Sequence, residues 1–315
     1  MDMRALLSQR TLGINASGIR KVFDLGAKLK DPFNLSIGQP DFPVPDPIKR
    51  AAIAAIENNH NGYTVTQGIA PLRDRLAAHL KADLGWDVDS RPAGAADAQR
   101  PSVMVSSGTS GALMLAFMAL LNPGDEVIFG DPYFVMYPHL TRLVGGVPVM
   151  CDTYPDFRLK AERVEKLITP RTKIVLLNTP SNPAGVVASG KECRELWDLC
   201  RSRGILLISD EIYDEFTYDD AREPSPLDPA KRVCPSPARF GGASEGVLVV
   251  RGFGKTYGVT GWRLGYAAGP RALIEEMNQH RDDRSVPLKP QKIIWDLRTA
   301  LGLEDIVICD VGAHK

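Results

Sequence analysis

Residues 103–121 read VMVSSGTSGALMLAFMALL: a short β-rich run, a turn of small polar residues, then an apolar stretch of helical length. The same alternation repeats down the chain. EVIFG (126–130) precedes YFVMYPHLTRLV (133–144), KIVLLN (173–178) precedes KECRELWDLCRS (191–202), and ILLIS (205–209) is followed later by VLVV (247–250). Strands alternating with amphipathic helices predict an α/β domain with a mainly parallel central sheet and helices on both faces. Sheets of this kind gather ligands at their carboxyl edge, where loops and helix N-termini meet. Three strand ends carry polar residues suited to that edge, at 108–110, 178–185 and 210–213.

The totals narrow the partners. A chain of 315 residues exceeds one average domain, so a large domain with a smaller lobe is expected. Its 38 basic residues cancel its 38 acidic ones without a long basic block, which gives no reason to expect nucleic acid or an anionic membrane as partner. A small metabolite suits it better. The five cysteines form no CxxC pair and no cluster with histidine, so no metal site is expected. Cys193, Trp197 and Cys200 recur at helical spacing and predict a buried stripe. Free thiols fit a reducing compartment. The N-terminus lacks the apolar core of a signal peptide and residues 111–121 are too short to span a bilayer, so a cytoplasmic protein is expected. Helices are predicted over 48–58 and 70–84, with polar loops over 90–101 and 219–245.

The chemistry gathers around GFGKTYGVTGWRLGY (252–266), which places Lys255 eight residues before Arg263, and ISDEIYDEF (208–216), which contains Asp210 and Tyr213. Each residue alone has a plain reading. Lysines are usually solvated, arginines structural, and an aspartate after a strand can cap a helix; the Gly108 turn can simply start one, and NPAG is a turn. Together they supply an amine for a Schiff base, a cation for a phosphate, a carboxylate for a pyridinium and a phenol for a ring oxygen. Those are the needs of pyridoxal phosphate. The helix N-terminus at Gly108, Thr109 and Ser110 offers unpaired N–H groups to the phosphate, and Arg263 a guanidinium that stays charged. Asp210 closes an apolar strand where a carboxylate without a partner is costly, and a pyridinium N–H is such a partner. Asn182 and Tyr213 are candidates for the ring oxygen.

Read together, SIGQPDFPVP, GYTVTQGIAPLRDRLA, SSGTSGALMLAF, NPGDEVIFGDPYFVMYP, NTPSNPAG, SDEIYDEF and GKTYGVTGWRLGY resemble the class I/II aminotransferases of the type I pyridoxal-phosphate fold, over about residues 10–280. The resemblance implies that Lys255 is the Schiff-base lysine, Asp210 the pyridinium partner, and Tyr213 and Asn182 the ligands of the ring oxygen. It also implies Phe134 on the ring face and Gly108, Thr109, Ser110 and Arg263 at the phosphate. Tyr63 would reach the phosphate of a neighbouring subunit, and Gly38 and Asn182 would lie near the substrate. A homodimer moving an amino group between an amino acid and a 2-oxo acid follows as an implication. The same cofactor chemistry also serves β-lyases and racemases, and a catalytically impaired module that only binds the cofactor is a third reading.

Two departures stand out. Gly252 occupies the position, three residues before the lysine, where the family commonly has serine or threonine, so one phosphate hydroxyl is missing, worth ~1.5–3 kcal/mol. After RALIEEMNQH (271–280) the family pattern is lost, and with it the arginine expected to clamp the substrate's α-carboxylate. Residues 287–315, PLKPQKIIWDLRTALGLEDIVICDVGAHK, resemble instead the opening of a thiamine-diphosphate enzyme domain of the acetolactate synthase type. The expected organisation is a small-lobe segment at 1–45, a cofactor-binding domain at 46–280 and an atypical tail at 281–315. A truncated or fused aminotransferase is expected, unless Arg284 or Arg298 turns into the site.

Overall fold

The computed structural model describes residues 6–8, 25, 26, 30, 38–92, 97 and 99–282. Most of the segment 1–45, and the tail from residue 283 with Arg284, Arg298 and the thiamine-like stretch, lie outside the described residues.

Nine strands follow in chain order: β1 (Ser102–Ser107), β2 (Glu126–Asp131), β3 (Val147–Asp152), β4 (Thr172–Asn178), β5 (Leu206–Asp210), β6 (Glu223–Pro224), β7 (Arg232–Val233), β8 (Val247–Gly252) and β9 (Leu264–Gly269), counted among the described residues. Seven of them form one sheet in the order β1-β9-β8-β5-β4-β2-β3, while β6 and β7 make a separate antiparallel pair. The predicted parallel sheet is present with one strand reversed. β9 runs antiparallel to both neighbours, with Leu264 opposite Ser107 and Gly265 opposite Gly252. Its first residues therefore stand at the edge where β1 and β8 end.

The helices are α1 (Asp46–Glu57), α2 (Ala70–Leu84), α3 (Gly108–Leu120), α4 (Met136–Leu143), α5 (Ala161–Glu165), α6 (Gly190–Arg203), α7 (Phe253–Thr256) and α8 (Arg271–Asp282). Side chains alternate across the sheet at every second residue. Val247 and Val249 enter the core shared with α2 and α6, whereas Leu248 and Val250 enter the core shared with α3, α4 and α8. Ile208 and Leu248 are fully buried, each stabilising the fold by roughly 1.5–3 kcal/mol. The predicted stripe on α6 is found: Cys193, Trp197 and Cys200 all face the core.

Local chemistry sets the helix ends. Ser189 and Glu192 form a reciprocal capping box at the start of α6, with Ser189 Oγ accepting from the Glu192 N–H at 3.2 Å and Glu192 Oε2 accepting from the Ser189 N–H at 2.8 Å. The segment expected to be helical over 133–144 starts its helix only at Met136, so Phe134 sits in the turn after β2. That turn belongs to the carboxyl edge.

Candidate active site

The carboxyl edge collects the predicted residues from five strands. β5 ends on Asp210, which is 3% exposed. Burial pushes its carboxyl up to about 6, against the lowering effects of the Tyr137 hydroxyl and the Ile212 N–H, while the neighbouring Glu211 charge raises it further. Tyr137 Oη donates to Asp210 Oδ2 at 2.8 Å across 73 residues of sequence. Sequence reasoning does not single out Tyr137. The available signal is its place in the aromatic run of residues 133–137, from which the resemblance selects Phe134 alone; the two rings meet edge-on at 5.5 Å.

Around Asp210 the β4 loop is held by asparagines. Asn178 Nδ2 donates to the Asp210 carbonyl at 3.0 Å, and the Asn182 N–H donates to Asn178 Oδ1 at 2.6 Å. This aims Asn182 at Tyr213, to whose hydroxyl its Nδ2 donates at 3.4 Å. Burial and the Asp210 charge raise the Tyr213 phenol, and the Asn182 contact lowers it. Lys255, on α7 directly after β8, places Nζ 5.5 Å from the centre of the Tyr213 ring and donates to the Gly38 carbonyl. Gly38 is thereby brought beside Lys255. Asn182 and Tyr213 also line an open groove of about 560 Å³, shared with Arg158, Phe216 and Tyr218.

The phosphate end is built where β1, β8 and β9 meet. Gly108 opens α3 with φ +65°, and a Cβ there would lie 2.9 Å from Arg263 Nη2, so only glycine admits both the turn and the guanidinium. Arg263 itself takes a left-handed backbone, φ +51° and ψ +46°, uncommon for a non-glycine residue and frequent at functional sites. Its Nε is buried with no hydrogen-bond partner among the described residues, and burial lowers the pKa of the guanidinium. A half-buried cation with an unused, buried donor beside a helix N-terminus is what an anion would satisfy. Thr109 and Ser110 stand in the first turn of α3, and Ser107 makes no side-chain cap there, so capping does not account for the small polar residues.

Gly252 has no side chain, and its space is already used: a Cβ would lie 2.8 Å from Ile212 Cδ1 and 3.5 Å from Thr109 Cγ2. Tyr63 is not gathered into the site. It is 79% exposed.

An amine, a buried carboxylate, a phenol braced by an amide, and a guanidinium with an unpaired Nε beside a helix N-terminus all stand on one edge of a mainly parallel sheet, and these residue types fit pyridoxal phosphate. The family profile for aminotransferase class I and II matches residues 30–287, and the chain belongs to this family. It is 34% identical over 277 residues to the aspartate aminotransferase of Geobacillus stearothermophilus, and 34% identical over 273 residues to aromatic-amino-acid aminotransferase 2 of Thermococcus litoralis. In both cases the match takes in 86% of this chain but 65% of the relative. The chain thus spans slightly less than two thirds of the length of these curated relatives. Among solved structures, the aspartate aminotransferase of Thermus thermophilus with maleate superimposes with a TM-score of 0.75 at 34% identity, covering 87% of this chain and 67% of that one. The enzyme from Rhizobium meliloti gives 0.77 at 31% identity, covering 95% and 72%.

Proposed function

We propose that the chain is a pyridoxal-phosphate-dependent aminotransferase that moves an amino group between an amino acid and a 2-oxo acid. The observation that carries this reading is the convergence of Lys255, buried Asp210, the Asn182–Tyr213 pair and the unsatisfied Nε of Arg263 on one sheet edge. Pyridoxal phosphate, when bound, supplies an aldehyde and an electron-accepting ring. Lys255 Nζ would hold its aldehyde and could move a proton at the substrate's α-carbon. Asp210, ionised, would pair with the ring nitrogen, and Tyr213 Oη would donate to the ring oxygen. Phe134 would bound the ring face, while Arg263 and the N–H groups of residues 108–110 would hold the phosphate.

The same reading extends to assembly and location. α1 has no buried residue, and Ile53, Ile56, Tyr63, Val65 and Ile69 are all exposed around it. An apolar stretch of this kind supports a homodimer in which Tyr63 reaches the neighbouring subunit's phosphate. Four cysteines are buried free thiols, which supports a cytoplasmic location, and no helix among the described residues is long and apolar enough to cross a membrane. We assign residues 46–280 to the cofactor-binding domain, 1–45 to the N-terminal segment of the small lobe and 281–315 to an atypical tail, whose residues 287–315 we read as of separate origin on the strength of their thiamine-domain likeness.

The test is to mix purified protein with pyridoxal phosphate, reduce with borohydride and map the modified residue, repeating with Lys255→Ala. A reduced link at Lys255 in the wild type alone, and formation of pyridoxamine phosphate plus a 2-oxo acid from an added amino acid, are expected. No link at Lys255 would reject the cofactor reading. Pyruvate and ammonia from a β-substituted amino acid, without pyridoxamine phosphate, would replace transfer with elimination.

A further inference from the structure

Behind the cofactor residues lies a buried ion cluster centred on Arg251, which stands on β8 four residues before Lys255 and is 4% exposed. Its Nε and Nη2 donate to Glu211 Oε2 at 2.9 and 2.7 Å, and its Nη1 donates to Asp83 Oδ2 at 2.8 Å. Nε also stands 3.3 Å from Asp214 Oδ2. Glu211 further accepts from Ser209 Oγ at 2.7 Å and Ser236 Oγ at 2.5 Å, and Asp83 pairs with Arg239 Nη2 at 2.9 Å.

The sequence positions of these partners matter more than their number. Glu211 directly follows Asp210, and Asp214 directly follows Tyr213. One guanidinium therefore ties the strand leading to the amine to the segment bearing both the carboxylate and the phenol, and its third arm reaches α2. Buried ion pairs return little net stability over apolar residues of the same volume, but a buried charge is tied to the place where its partner stands. A planar fork with several donors fixes direction as well as distance. Glu211 and Arg251 touch neither the groove nor the phosphate end, so their chemistry is left unused by the proposed reaction.

We propose that Arg251 is a positioning residue, whose fork to Glu211 and Asp83 sets the placement of Lys255 relative to Asp210 and Tyr213 and so the orientation of the bound cofactor. This rests on Lys255 being the point of attachment. Misplacement of reacting groups by about 1 Å is enough to cost up to a hundredfold in positioned chemistry, so the expected signal is large.

The experiment measures cofactor affinity and visible-wavelength circular dichroism at saturating pyridoxal phosphate, which reports how rigidly and in what asymmetric setting the cofactor is held. Arg251→Met combined with Glu211→Gln removes both charges of the fork, leaving Asp83 paired with Arg239 and Asp214 without its cation. Arg251→Lys keeps the charge and loses the fork. Both are expected to retain the wild-type far-ultraviolet spectrum, to bind the cofactor about tenfold more weakly, and to lose at least about half of the visible dichroism per bound cofactor. Wild-type affinity and dichroism in either folded variant would overturn the proposal; if the double variant does not fold, Arg251→Lys decides. Failure of the function reading is separate, because it shows as absence of the borohydride-reduced link at Lys255 in the wild type.

Discussion

Replacing Asp210 with asparagine is expected to act in opposite directions with and without the cofactor. In the cofactor-free protein burial raises the carboxyl from 3.8 to about 6, a difference equivalent to about 3 kcal/mol. A carboxyl whose pKa is raised on folding leaves the protein most stable below the unfolded value, and that stability is lost as pH rises through the folded one. Cofactor-free wild type should therefore lose about 3 kcal/mol between pH ~4 and pH ~7 from this group alone. The asparagine side chain does not titrate, and its Oδ1 can still accept from the Tyr137 hydroxyl. The variant should match the wild type near pH 4 and exceed it by up to about 3 kcal/mol at pH 8. With the cofactor bound, the pyridinium N–H gives the charged carboxylate a partner, and asparagine forfeits a charge-assisted hydrogen bond worth ~1.5–3 kcal/mol. Cofactor affinity should fall at least about tenfold. Denaturant unfolding of both cofactor-free proteins across pH 4–8, paired with cofactor titration, reads both effects. A stability gap that does not change with pH, or a variant less stable than the wild type at pH 8, would refute the reasoning.

Three further substitutions probe the same edge. Tyr137→Phe keeps the ring but removes the 2.8 Å hydrogen bond that lowers the Asp210 pKa, so the pH window over which the cofactor-free protein loses stability should extend to higher pH at its upper end, as measured by unfolding at a series of pH values. Gly108→Ala combines φ +65° with a Cβ 2.9 Å from Arg263 Nη2; a cost of about 1–2 kcal/mol in thermal unfolding and weaker binding of inorganic phosphate are expected. Gly252→Ser restores the missing hydroxyl but meets Ile212 Cδ1 at 2.8 Å. With Ile212→Val to make room, the cofactor should bind about tenfold more tightly by equilibrium dialysis, whereas unchanged affinity would show that position 252 does not face the phosphate.

The sheet and the residues gathered at its candidate site are legible because each is written locally. Strand ends at Ser107, Asn178 and Asp210 follow from apolar runs that stop at polar residues, and the amine, carboxylate and phenol have side chains whose chemistry limits their uses. What escaped was nonlocal. The Tyr137–Asp210 bond and the Arg251–Glu211 fork join residues 73 and 40 apart, and no periodicity in either segment marks the other. The reversal of β9 escaped for another reason: LGYAAG is as apolar and short as a parallel strand, and only pairing with β1 and β8 shows its direction. Tyr63 is on the surface of the single chain, and the contact expected of it would need the proposed second subunit.

That reversal has a consequence for how the chain tolerates change. The turn from Gly252 to Leu264 leaves β8 and returns as β9 at the same edge, with Gly252 and Gly265 paired across it. It therefore acts as a ruler whose two marks are the amine of Lys255 and the guanidinium of Arg263. Inserting one residue between them would leave every strand in register while displacing the attachment point from the anion grip. The connection over 219–245 is anchored differently, by Ser236 on Glu211 and Arg239 on Asp83. On the proposed reading, the length between Lys255 and Arg263 is fitted to a small molecule, and the sheet holds the two ends of the measure.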